Sequence, residues 1–252
     1  MTRIALLGAS NVTLGFGVLT RLFRSGFDGS LDIRGALGHG RSYGSWSTVA
    51  VRSLPPIGEC GLWSSLAKVD DAAASYALLT DVGNDLMYGH RPETIAGWVE
   101  TCLDRLVAVD ARIVVTRLPL SRIERLSAAR YHATRMSFFP LHRPIAWSEM
   151  LDRARELDAR VADAAARRGA VVMTPPLDWY GFDPIHIRWT QRSRAWSEIL
   201  SGWQGFRRPN GNAAAPSLSL LGRFPERYRI LGCDASSRQP VVRKNETTLS
   251  LY

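Results

Sequence analysis

Cysteine is scarce in this chain: three residues in 252, Cys60, Cys102 and Cys233, far apart and odd in number. No C-x-x-C pair occurs, which argues against a zinc site or a disulfide framework, and Cys102 is read as a small core residue. Lysine is scarcer still. Lys68 and Lys244 are the only two among 32 basic residues, so arginine carries the formal net charge of +9. No Lys/Arg block or RNA-binding motif stands out, and no nucleic-acid partner is expected. The excess is read as an Arg-rich solvated surface, with attraction of an acidic substrate as the other reading. Long apolar runs are also missing: none approaches the roughly 18 residues that cross a bilayer. The apolar run in MTRIALLGAS is too short for a signal-peptide h-region. It is read as the first strand of the fold, with a cytoplasmic protein as the expectation.

What is present suits one large α/β domain, since 252 residues of which 46% are hydrophobic can bury a sizeable core. Apolar runs at Ile4–Gly8, Leu31–Ala36, Ser75–Val82, Arg112–Arg117 and Ala170–Met173 read as strands. Between them lie helical patterns over about Thr13–Arg24, Pro92–Val109 and Ile145–Arg168, with a last helix over Thr190–Trp203. Residues 118–143 are less regular. Strands alternating with helices imply a parallel sheet covered on both faces, with ligands at the carboxyl ends of the strands. Past Trp203 the composition changes. Residues 204–215 read as a linker, and 216–252 as a C-terminal β-rich extension with strands in LSLLGRF, RYRILG, QPVVRK and TTLSLY.

Four segments that follow strands carry candidate chemistry. Ser10 ends the first strand in IALLGASN, where a hydroxyl meets the positive end of the next helix; a plain helix N-cap is the other reading. FDPIHI places His186 three residues after Asp183, so the carboxylate can fix the imidazole tautomer. Asn84 in DVGND offers a side-chain amide as an oxyanion donor, and Gly38 or Gly40 in GALGHG offers a backbone N–H. A nucleophile, a base, its orienting acid and oxyanion donors are the parts of acyl transfer.

In order and spacing these segments resemble the SGNH/GDSL hydrolase family, over about residues 3–203. GAS resembles its serine block, RGALGHGRS its glycine block, VGNDLMYG its G-x-N-D block and DPIH its D-x-x-H block. The resemblance implies a flavodoxin-like three-layer α/β sandwich. It implies Ser10, His186 and Asp183 as a catalytic triad and Ser10, Gly38 and Asn84 as the oxyanion hole. It implies a small-molecule ester as substrate, and neither metal nor organic cofactor. Two positions depart from the family pattern. Ala9 stands where an Asp is usual, so hydrogen bonding around the serine must differ. Val82 stands where a Gly is usual, which allows the loop to shift.

His39, Phe138 and Phe139 are candidate substrate contacts. Arg122, Arg125, Arg130 and Arg135 are read either as solvated or as contacts for an anionic group. Acyl transfer to an alcohol would use the same residues as hydrolysis. A non-catalytic binding module on the same fold is the main alternative. A dinucleotide-binding protein is the weaker one, because Gly8, Gly15 and Gly17 do not fit a G-x-G-x-x-G turn.

Overall fold

Buried on both faces along its whole length, the first strand is the kind of segment that sits in the middle of a parallel sheet. In the computed structural model, which describes residues 1–67, 74–139, 145–209 and 217–252, it is β1 (Thr2–Leu7). There follow α1 (Ser10–Gly26), β2 (Leu31–Ala36), β3 (Ser47–Val49), β4 (Arg52–Leu54), α2 (Leu62–Ala67) and β5 (Ala74–Leu79). Next come α3 (Asn84–Met87), α4 (Pro92–Val107), β6 (Arg112–Thr116), α5 (Leu120–Ile123), α6 (Ala128–Phe138), α7 (Trp147–Arg167) and β7 (Val171–Met173). The chain ends with α8 (Arg192–Leu200), β8 (Arg227–Ile230), β9 (Cys233–Ser236), β10 (Val242–Lys244) and β11 (Thr247–Leu251).

Seven strands form the main sheet in the order β10-β11-β2-β1-β5-β6-β7, parallel except for the β10–β11 hairpin. Alternation along β1 divides the core. Ala5 and Leu7 join the cluster of α4 and α7, with Ile95, Val99, Met150 and Leu157. Ile4 and Leu6 join that of α1 and α8, with Val12, Phe16, Leu19 and Trp196. This is the expected three-layer sandwich. α1 and α8 come close because Gly15 lies against Trp196, where a Cβ would collide with the indole.

The described part of 118–143 is more regular than its sequence suggests. It holds α5 and α6, and the Ser127 hydroxyl caps α6 by accepting from Arg130 N. The last helix starts later than expected, at Arg192, after a 3₁₀ turn over Trp189–Gln191. LSLLGRF is not a strand; the other three tail segments are. A second, antiparallel sheet, β3-β4-β8-β9, uses the β3–β4 hairpin, whose three-residue strands leave no readable periodicity.

The tail contributes to both sheets. β11 runs parallel to β2, from Thr247 opposite Leu31 to Leu251 opposite Gly35. Arg41, wholly buried, donates to the Tyr252 carbonyl and, through Nε at 3.0 Å, to that of Pro55. Burial pushes its guanidinium below the ordinary value. The loop after β2 is thereby tied to the tail.

Leu249, on β11, is fully buried. Leu249→Ala is expected to cost about 2–5 kcal/mol in urea-induced unfolding, as for a core leucine. A loss below about 0.5 kcal/mol, typical of surface positions, would mean that the tail is dispensable.

Candidate active site

Ser10 is the first residue of α1, three positions past the end of β1. The Asp81 side chain, at the carboxyl end of neighbouring β5, shapes this turn. Asp81 Oδ2 accepts from Ala9 N (2.9 Å) and Asn11 N (3.0 Å), and Oδ1 accepts from Asn11 Nδ2 (2.8 Å). With alanine at position 9 the turn has no carboxylate just before the serine, and Asp81 supplies one from the adjacent strand. It does so with φ of 61°, a conformation a non-glycine residue adopts at some cost.

Asn11 reaches the other way as well. Its Nδ2 donates to Ile185 O (2.9 Å), and its Oδ1 accepts from Ile187 N (2.8 Å). The loop bearing His186 is therefore fixed to the residue after Ser10. Within that loop Asp183 Oδ1 accepts from Ile185 N (3.0 Å) and His186 N (3.2 Å). Its Oδ2 lies 2.6 Å from His186 Nδ1, and His186 Nε2 lies 2.7 Å from Ser10 Oγ. A carboxylate at Nδ1 requires the proton there, which leaves the Nε2 lone pair for the serine hydroxyl. Burial by itself raises the Asp183 carboxyl. The hydrogen bond and charge of His186 and the two backbone N–H groups outweigh it and hold the pKa below the ordinary carboxylate value.

Asn84 opens α3. Val82, in the glycine's usual place, is buried, and Asn84 still lines the same cavity as Ser10. The amide Nδ2 of Asn84 is buried and has no hydrogen-bond partner among the described residues. Beside it, Asp85 accepts from the Ser42 hydroxyl and from Tyr43 N (3.0 Å), and the Tyr43 hydroxyl donates to Thr80 O (2.7 Å). Burial raises the Asp85 carboxyl to about 6 against the pull of those donors.

The cavity has a volume of about 120 Å³. Ser10 and Asn84 supply polar groups, while Leu118, Tyr131, Phe139, Trp147 and Met150 supply apolar walls. Phe139 is thus placed at the cavity, whereas the side chain of Phe138 lies outside the described residues. Gly38 is not among the lining residues; it packs against Leu54, and its carbonyl accepts from Arg41 N (3.2 Å). His39 is exposed and also does not line the cavity. Its pKa is lowered by the protein crowded around the ring, then by the charges of Arg52 and His186, with Asp81 opposing. Sequence reasoning missed Asn11 and Asp81. Their only signal was position, one beside the serine and the other opening DVGND at the end of a strand. Among the described residues no group of three His, Cys, Asp or Glu side chains is placed to hold a metal, and no helix is long and apolar enough to cross a membrane.

No family model and no curated protein matches the chain. Solved structures do. The chain is similar to a protein from Slackia heliotrinireducens assigned to the SGNH hydrolases, with 17% identity, 79% of this chain and 97% of that one covered, and a TM-score of 0.50. It is also similar to the inhibitor-bound form of an aryl esterase from M. smegmatis, with 12% identity, 80% and 97% covered, and a TM-score of 0.52. At such identities the likeness concerns the fold, and the fold is that of the SGNH hydrolases.

Two outcomes follow from the site's electrostatics. Removing the Asp81 carboxylate leaves two turn N–H groups without their acceptor, so Asp81→Ala is expected to lose about 2 kcal/mol or more of stability by chemical denaturation. For Asp85 the sign is unusual. Its folded-state pKa of about 6 lies above the ordinary carboxylate value, so the folded protein binds the extra proton and this stability is lost as pH rises through that value. Wild type is expected to gain roughly 2 kcal/mol over Asp85→Asn between about pH 7 and pH 4.5 in urea melts. A difference that stays constant over this range would contradict it.

Proposed function

We propose that the chain is a serine hydrolase that cleaves an ester through an acyl-enzyme on Ser10. The observation that carries this reading is the continuous contact Asp183–His186–Ser10, at 2.6 and 2.7 Å, beside a buried amide donor with no acceptor among the described residues. A binding module gains nothing from a buried, unpaired Asn84 N–H, which costs about 1–3 kcal/mol. An enzyme gains an oxyanion donor that needs no reorganisation when charge develops.

In this reading Ser10 Oγ attacks the ester carbonyl while His186 Nε2 takes its proton. Asp183 holds the imidazole and stabilises its charged form. The carbonyl oxygen, now negative, is held by Asn84 Nδ2 and by the Ser10 N–H in the first turn of α1, where no helical carbonyl claims it; Gly38, the third donor that the family resemblance implies, does not line the cavity. As the tetrahedral species collapses, the carbon–oxygen bond to the alcohol breaks and His186 returns the proton to that alcohol. Water, deprotonated by His186, then attacks the acyl carbon, and Ser10 leaves with the proton. The apolar walls favour a slender, uncharged acyl group. An alcohol in place of water would make the same machinery an acyltransferase.

Ser10→Ala is expected to lower kcat for a short p-nitrophenyl ester by at least about 10³-fold, and to abolish labelling by a fluorophosphonate probe. Asn84→Ala should lower kcat by about 10²–10³. Unchanged hydrolysis by Ser10→Ala would refute the reading.

A further inference from the structure

Among the described residues the arginines differ in what balances their charge. Along α7 and just past its end they are balanced: Arg153 pairs with Glu149 (2.6 Å), Arg160 with Glu156 (2.8 Å), and Arg168 with Asp104 (2.6 Å). Around the loop that carries Asp183 and His186 the arrangement is different. Arg122 donates to Gly181 O, Arg130 to Phe182 O and Arg188 to Asp178 O, all uncharged acceptors. The Arg130 guanidinium also lies 4.3 Å from the centroid of the Phe182 ring.

The nearby carboxylates are already engaged. Asp178 pairs with Arg194 (3.1 Å), Glu124 with Arg155 (2.9 Å), and Asp183 with His186. Arg122 Nε and Arg130 Nε are buried with no acceptor among the described residues. Crowding of like charge is evident at Arg122. Burial first, and then Arg130, Arg125 and Arg188, lower its affinity for its proton. A cluster of cations lacking counter-ions attracts an anion, and more strongly where protein excludes part of the water.

The position of the cluster defines which part of a substrate it meets. Ile123, Leu126 and Tyr131 of the same segment line the apolar cavity, as do Pro184 and Ile185 of the loop. The arginines alternate with those wall residues, so they flank the cavity instead of filling it. On the proposed hydrolase reading the acyl group enters the apolar cavity, and the alcohol stays outside it. We propose that Arg122, Arg125, Arg130 and Arg188 bind an anionic group, a carboxylate, sulfonate or phosphate, carried on the alcohol side of the ester. The substrate class is then an apolar acid esterified to an anionic alcohol.

The test compares kcat/KM for 4-acetoxybenzenesulfonate with that for phenyl acetate, which share an acyl group and differ in the charge of the alcohol. The anionic-to-neutral ratio of wild type is expected to fall at least about threefold between low salt and about 0.5 M salt, as screening shortens the reach of the arginines. The double variant Arg125→Gln/Arg188→Gln should lower the ratio about three- to tenfold at low salt. Arg160→Gln, which removes a positive charge from an exposed arginine already paired with Glu156, should leave it unchanged. A ratio insensitive to salt, or lowered equally by Arg160→Gln, would overturn the proposal. Hydrolysis of phenyl acetate that survives in Ser10→Ala would remove the hydrolase reading and this proposal with it.

Discussion

The Asp81 carboxylate is the point from which the rest of the site is placed. It collects three N–H groups of the Ala9–Asn11 turn and so fixes α1 to the end of β5. Asn11 extends the same connection to residues 185 and 187. Segments about 70 and 175 residues apart in the chain are held by one acid and one amide. The distances between Ser10, His186 and Asp183 follow from this bracing, since a serine on a strand-end turn and a histidine in an irregular loop would otherwise be positioned independently. Hydrogen bonds to a charged acceptor are shorter and stronger than neutral ones, which suits a brace that must also hold Asp81 at positive φ.

A second connection runs from the Asn84 turn to the edge of the sheet. Asp85 anchors Ser42 and Tyr43, and Arg41 beside them reaches the tail at Tyr252. β11 holds that tail in place by completing the pairing of β2. The oxyanion donor proposed at Asn84 therefore depends on a buried carboxylate, a buried guanidinium and a C-terminal strand in sequence. Both buried ions have pKa values displaced toward their neutral forms by burial, so this part of the framework carries electrostatic strain that an apolar core would not.

The sequence was most informative where physics is local. Five strands of the main sheet and the helices between them follow from apolar runs and 3.6-residue periodicity, and Ser10, Asn84, Asp183 and His186 follow from their places after strands. The same logic could not find β3 and β4, which are too short for a pattern to accumulate. It misread LSLLGRF, an apolar run that packs Leu218 and Leu220 on the core without forming a ladder. It could not show that β11 enters the main sheet, because a parallel pairing with a strand over 200 residues earlier leaves no local mark. Asn11 and Asp81 escaped for a related reason. Each is an ordinary turn residue in sequence, and its importance arises only from partners that the fold brings close.

Charge shows the same limit. Counted along the chain, the arginines look evenly distributed, and a solvated surface is the economical reading. Their partners separate them. An Arg with a carboxylate one helical turn away contributes little to the surrounding field, whereas one bonded only to carbonyls retains its full charge. The loop from 178 to 188 gathers the second kind next to the His186–Ser10 contact. On the proposed reading, a positive field there favours negative charge on the departing alcohol side of the ester. Asp183, whose carboxyl is held in its ionised form by His186 and two backbone donors, supplies the opposing charge where the imidazolium needs it. Cations outside and one fixed carboxylate inside thus divide the electrostatic work of the proposed reaction between its two charged partners.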